Sequence, residues 1–304
     1  MIIYTHKDCM SHLVPSGHPE RPDRLKVLLH HLKETGFSHD HRLKPSQQIP
    51  TDLIRRAHHP NYFESLEKQL PATGLKSLDT DTWLSPNSLS AAKHAAGAVW
   101  QGVLDVASGF EKRVFCAVRP PGHHAETNNP MGFCMVNSVA ISAINALTLD
   151  KIDRVVILDF DVHHGNGTVD ICRNNPKILV CSSFQHPFYP NRLFNLSQKN
   201  IINTPLDSGS NGDTFRSAIS DSWWAAIENH EPDLFLISAG FDGHRLDPLG
   251  QLNLAEDDYA WITKKIVELA IQYADGRIVS ALEGGYHLDA LAKSALAHLS
   301  ELAL

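Results

Sequence analysis

A chain of 304 residues is long enough to bury one large core. With 42% apolar and 20% charged residues it falls outside the disordered class. Its net charge of −7 argues against the basic face that nucleic-acid-binding domains carry. The five cysteines are odd in number and none are spaced as CxxC, which suits reduced core thiols of an intracellular protein. The opening MIIYTHKDC has no secretory pattern and no run of 18 apolar residues occurs. The expectation is a cytoplasmic protein that contacts neither membrane nor nucleic acid directly.

In chain order, the apolar spacing predicts a helix over 87–107, a strand over 114–118 (VFCAV), a helix over 137–147, and strands over 154–158 (RVVIL) and 178–181 (ILVC). The polar stretch 191–203 reads as a surface loop. A helix over 213–229 follows, with Asp213 as its N-cap, then a strand over 234–237 (LFLI), a helix over 256–273, a strand over 277–281 (RIVSA) and a helix over 288–302. Short apolar strands alternating with helices predict an α/β fold, a mostly parallel sheet covered by helices on both faces. Without a repeat or linker, residues 1–304 read as one domain. Ligands of such sheets bind outside the carboxyl ends of the strands.

Four polar clusters follow four of these strands. Arg119-Pro120-Pro121-Gly122-His123-His124 follows the first, and Asp159-Phe160-Asp161-Val162-His163-His164-Gly165-Asn166-Gly167 the second. Ser238-Ala239-Gly240-Phe241-Asp242 and Leu282-Glu283-Gly284-Gly285-Tyr286 follow the last two. All four should meet at one sheet edge. In an extended strand Asp159, Asp161 and His163 share one side, about 7 Å per step. Asp161 and His163 can then bend towards one ion, with Asp159 lying deeper. Asp242 is the natural third donor. Two carboxylates and one imidazole leave an open position for water, as a catalytic zinc site requires.

Of the adjacent His123 and His124, one could take a proton from the water while the other donates to a leaving amine. Asp159 and Asn166 are candidates to fix their second nitrogens, and a carboxylate partner makes its histidine the more basic. Tyr286, after two glycines, offers a phenol to a developing oxyanion.

These segments resemble the histone deacetylase superfamily of the arginase/deacetylase fold. The resemblance rests on HPERPDRL (18–25), RPPGHH (119–124), GFC (132–134), DFDVHHGNG (159–167), SAGFD (238–242) and GGY (284–286), in family order. Asparagine in HHGNG makes the chain most similar to the class II branch and its bacterial relatives. The resemblance implies a metal-dependent amidohydrolase of three-layer αβα architecture acting on linear amides. It implies zinc on Asp161, His163 and Asp242, with iron(II) as the alternative ion. His123 is then the general base, His124 its electrostatic or acid partner, and Tyr286 the group that polarises the acetyl carbonyl. Gly132 and Phe133 would form one wall of an acyl-lysine tunnel, Phe188 or Tyr189 the other, with Asp81 at the rim. Potassium would sit beside the zinc on Asp159, Asp161, His163, Ser182 and Ser183, several through backbone carbonyls.

The expected reaction is hydrolysis of N-acetyl-lysine, in protein or peptide, to acetate and free amine. An acetylpolyamine amidohydrolase is the nearest alternative. Leu249 after Asp247-Pro248 lacks the charge that would attract a distal ammonium, which favours acyl-lysine. A non-catalytic acetyl-lysine reader fits less well, because every expected catalytic residue is present. A two-manganese ureohydrolase would need a further aspartate just after His163.

Overall fold

The computed structural model describes residues 1–304. Its strands are β1 (Ile2–Thr5), β2 (Arg42–Pro45), β3 (Lys76–Ser77), β4 (Trp83–Leu84), β5 (Arg113–Cys116), β6 (Val155–Asp159), β7 (Ile178–Gln185), β8 (Ile201–Leu206), β9 (Leu234–Ala239) and β10 (Ile278–Leu282). Eight of them form one sheet in the order β2-β1-β5-β10-β9-β6-β7-β8, and every pairing in it is parallel. β3 and β4 make a separate two-stranded antiparallel pair.

All residues of β6, β7, β9 and β10 are buried, as expected of parallel strands covered on both faces. The helices Asp23–Glu34, Ser88–Ser108, Ser138–Ala146, Glu256–Tyr273 and Leu288–Leu302 contribute buried apolar residues to the core. One cluster of 62 buried side chains forms that core. No helix is long and apolar enough to cross a membrane, and all five cysteines are free and buried.

The five expected strands and the helices at 87–107, 137–147, 256–273 and 288–302 all form, with ends shifted by a few residues at most. Three expectations change. The helix expected over 213–229 is two, Gly212–Ser222 and Trp224–His230. They part at Trp223, whose buried indole N–H donates to Thr204 Oγ1 at 3.0 Å. Asp213 is not the N-cap, because Asn211 accepts the backbone N–H of Thr214 through its side chain. The loop expected over 191–203 ends early, because Ile201–Asn203 already pair with β7.

Topology explains why the four polar clusters meet. The chain lays down β5 and β6 early, then returns to place β9 and β10 between them. The adjacent strands β5, β10, β9 and β6 therefore carry all four clusters to one edge.

A candidate metal and catalytic site

Asp161, His163 and Asp242 form a buried group whose ligand atoms lie within 4.8 Å of one another. His163 Nδ1 is 3.0 Å from Asp161 Oδ1 and 3.1 Å from Asp242 Oδ2. Backbone donors hold the other carboxylate oxygens. Gly284 N–H donates to Asp161 Oδ2 at 2.9 Å, and Val162 N–H to Asp242 Oδ1 at 2.9 Å. A tetrahedral ion with bonds of about 2.1 Å separates its ligands by about 3.4 Å, close to these gaps. A Cβ at Gly284 would collide with the Asp242 and Asp161 carboxylates, so only glycine lets β10's loop close over them. The donor set thus fits the zinc or iron(II) that the resemblance implies. Burial, and then the Asp161 charge, push Asp242 up to about 7, a repulsion that a cation between the two carboxylates would relieve.

Behind this group stand the two histidines. His123 Nδ1 donates to Asp159 Oδ2 at 2.9 Å, and His124 Nδ1 donates to Asn166 Oδ1 at 2.7 Å. Their partners push them apart. Burial would lower His123, but the charges of Asp159 and Asp161 outweigh it and hold it well above its ordinary value. Burial, reinforced by His123 and His163, holds His124 well below its own. Asp159 at the end of β6 pairs in register with Ser182 inside β7. Ser182 and Ser183 are both buried.

A cavity of about 360 Å³ opens onto the group. Asp81, His124, Gly132, Phe133, His163, Phe188, Tyr189, Leu249 and Tyr286 all line it, so every expected tunnel residue is present, and Phe188 and Tyr189 both contribute. Gln251, which sequence reasoning did not single out, is a further lining residue. His123 does not line the cavity. Phe133 holds φ at +68°, at the turn that presents its ring. Burial and then Asp79 raise the Asp81 carboxyl to about 6.

A layer of supporting residues was also not assigned from sequence. Glu283 Oε2 accepts the backbone N–H groups of Gly122 (2.6 Å) and His123 (3.2 Å), fixing the loop under the histidines. Arg24 donates from Nε to Gly285 O at 2.6 Å and from Nη2 to Glu283 O at 2.5 Å, and its guanidinium lies 4.7 Å from the Tyr286 ring centre. Asp247 Oδ2 accepts the N–H of Tyr286 at 2.6 Å. Glu20 receives two hydrogen bonds from Arg119, at 2.7 and 2.8 Å. Glu20 and Arg24 sit in the HPERPDRL segment, whose dense run of charges was the available signal.

Residues 18–302 match the histone deacetylase domain family. The chain belongs to the histone deacetylase family. It is 40% identical to an uncharacterized protein of Synechocystis sp., over 99% of this chain and 98% of that one. It is 34% identical to Type-2 histone deacetylase 2 of Dictyostelium discoideum over 93% of this chain, which spans 19% of that much longer protein. Among solved structures, the HDA15 HD domain superposes with a TM-score of 0.92 at 30% identity, over 99% of this chain and 87% of that one. The fold is therefore the α/β fold of the deacetylases, and the chain is a hydrolase of the deacetylase family.

Proposed function

We propose that residues 1–304 form one catalytic domain, a metal-dependent deacetylase that hydrolyses N-acetyl-lysine in a protein or peptide to acetate and free amine. The observation that carries this reading is the cavity lined together by His163 of the Asp161-His163-Asp242 group, by His124 and by Tyr286. Asp161, His163 and Asp242 would hold zinc, and iron(II) suits the same donors. Such an ion supplies Lewis acidity, which polarises a carbonyl and eases deprotonation of water.

The chain's own residues do the rest. Phe133, Phe188 and Tyr189 enclose an alkyl chain and exclude water. Asp81 at the rim accepts hydrogen bonds from the substrate backbone. Tyr286 donates its phenolic proton to the oxyanion as the carbonyl carbon becomes tetrahedral. The cavity favours His124, rather than the His123 expected from sequence, as the group that takes the water proton and returns it to the amine. His124 faces the cavity with Nδ1 occupied by Asn166, so Nε2 is free to work. His123, behind it and tied to Asp159, holds positive charge near the reaction. Asp159, Asp161, His163, Ser182 and Ser183 form the proposed potassium position.

One observation favours the acetylpolyamine reading as a second choice: the carboxylate of Asp81 lines the cavity, with Asp79 close to it. Leu249 in the lining supplies no charge on the opposite side. Amine release from an acetyl-lysine peptide and from N-acetylspermidine, at equal concentration with zinc-loaded protein, separates the two. A chelator-sensitive preference for the peptide is expected. Preference for the polyamine would overturn the substrate choice, and silence on both would overturn both substrates in favour of another acyl amide or a non-catalytic reader.

A further inference from the structure

A second cluster of ligand chemistry lies away from the cavity. It sits where β1 gives way to the short helix Asp8–Ser11 and meets the long helix Ser88–Ser108. His6, Asp8 and His94 bring two imidazoles and a carboxylate together, one ligand atom of each within 4.8 Å of the others. His94 Nδ1 donates to the carbonyl oxygen of Ser46 at 3.0 Å. That bond fixes the tautomer and leaves Nε2 as a bare lone pair. The lone pair faces Asp8 Oδ2 at 3.8 Å. His6 uses its Nδ1 the other way: it accepts the backbone N–H of Asp8 at 3.2 Å and lies 3.4 Å from Asp8 Oδ1.

One ligand atom from each of the three residues thus lies within 4.8 Å of the others, and a cation drawing in His6 would take the place of the Asp8 N–H as its partner. The gaps of 3.4 and 3.8 Å lie at and somewhat above the edge, about 3.4 Å, of a tetrahedron with bonds of about 2.1 Å. The supporting partners are in place: Ser90 Oγ donates to Asp8 Oδ2 at 2.6 Å, and Ser46 orients His94. The two rings stack with centroids 3.5 Å apart, so His6 must turn for its nitrogen to point at an ion. It has room to do so, since its side chain is 19% exposed.

We propose that His6, Asp8 and His94 form a second metal site, for a borderline divalent ion such as Zn²⁺, Co²⁺ or Ni²⁺, which clamps the N-terminal segment to the helix Ser88–Ser108. Two imidazoles exclude the hard ions Mg²⁺ and Ca²⁺. The clamp reinforces a segment the catalytic edge depends on. Cys9 and His12 offer their carbonyl oxygens to Arg119 Nη1 at 2.6 and 3.1 Å, and Arg119 opens the loop that carries His123 and His124.

Metal-stripped protein titrated with Co²⁺, followed by visible absorption and by metal analysis after dialysis, tests the proposal. Wild-type protein should hold two equivalents. His6→Ala and His94→Gln should each hold one and keep deacetylation. Asp161→Ala should also hold one, so loss of either site is read separately. Metal at the His6, Asp8 and His94 site should raise the melting temperature of wild-type and Asp161→Ala protein, an increment that His6→Ala should lack. One equivalent in wild type with none in Asp161→Ala would overturn the proposal, as would two equivalents in both His6→Ala and His94→Gln.

Discussion

Arg119→Met removes the bidentate partner of Glu20 from a fully buried ion cluster in which Arg24 Nη1 also donates to Glu20 Oε1 at 3.2 Å. Glu20 and Arg119 are both 0% exposed, and Arg119 grips both oxygens of Glu20. It also supplies the donor for the carbonyls of Cys9 and His12. Breaking a buried pair by deleting one partner costs about 3–5 kcal/mol, which lowers the melting temperature on the order of 10 °C in a domain this large. The loss carries a pH signature. Burial would raise the Glu20 pKa, but Arg119 outweighs it and holds it at about 2, against an ordinary 4.5. Because the folded value is the lower one, this stability is present above pH 4.5 and is lost as the pH falls towards 2. Its size is about 3 kcal/mol. Urea titrations of both proteins across that range should show the widest gap near pH 7, narrowing below pH 4.5. Glu20→Gln added to Arg119→Met should recover part of the loss. A single variant within 1 kcal/mol of wild type at pH 7, or a gap that does not change with pH, would refute the reasoning.

Tyr286→Phe should keep its metal and lose about 10²–10³-fold in turnover, read by steady-state kinetics beside metal analysis. Gly284→Ala should keep its circular dichroism spectrum and weaken metal binding by about 10–100-fold, since the new methyl meets the Asp161 and Asp242 carboxylates; equilibrium dialysis measures it. Asn166→Asp would set a carboxylate where Asn166 Nδ2 now donates to Glu126 Oε1 at 2.8 Å. Thermal melts should show a loss of about 1–3 kcal/mol, partly restored by adding Glu126→Gln.

The central strands were legible because parallel strands buried on both faces read as short apolar runs ending in polar clusters, as RVVIL does before Asp159. The site was legible for the same reason: each cluster directly follows its strand. β2 was not, because RLKP at the sheet edge is largely exposed and carries no apolar run. Nor was β8, whose IINTPL is broken by polar residues and proline. The supporting layer was hidden by distance along the chain. Arg24 reaches Gly285 across 261 positions and Glu283 reaches Gly122 across 161, contacts that no local spacing encodes. The proposed exchange of roles between the two histidines rests on the folded cavity, which His124 lines and His123 does not, a difference that no local spacing encodes.

Acetate release from an acetyl-lysine peptide, followed while the protein is stripped with a chelator and then reloaded with zinc in steps, bears most directly on the proposed chemistry. Turnover should vanish on stripping and return in wild-type protein, and should not return in Asp161→Ala or Asp242→Ala. Full turnover in the stripped protein, or full recovery in either variant, would contradict the assignment of the Asp161, His163 and Asp242 group as the catalytic metal site.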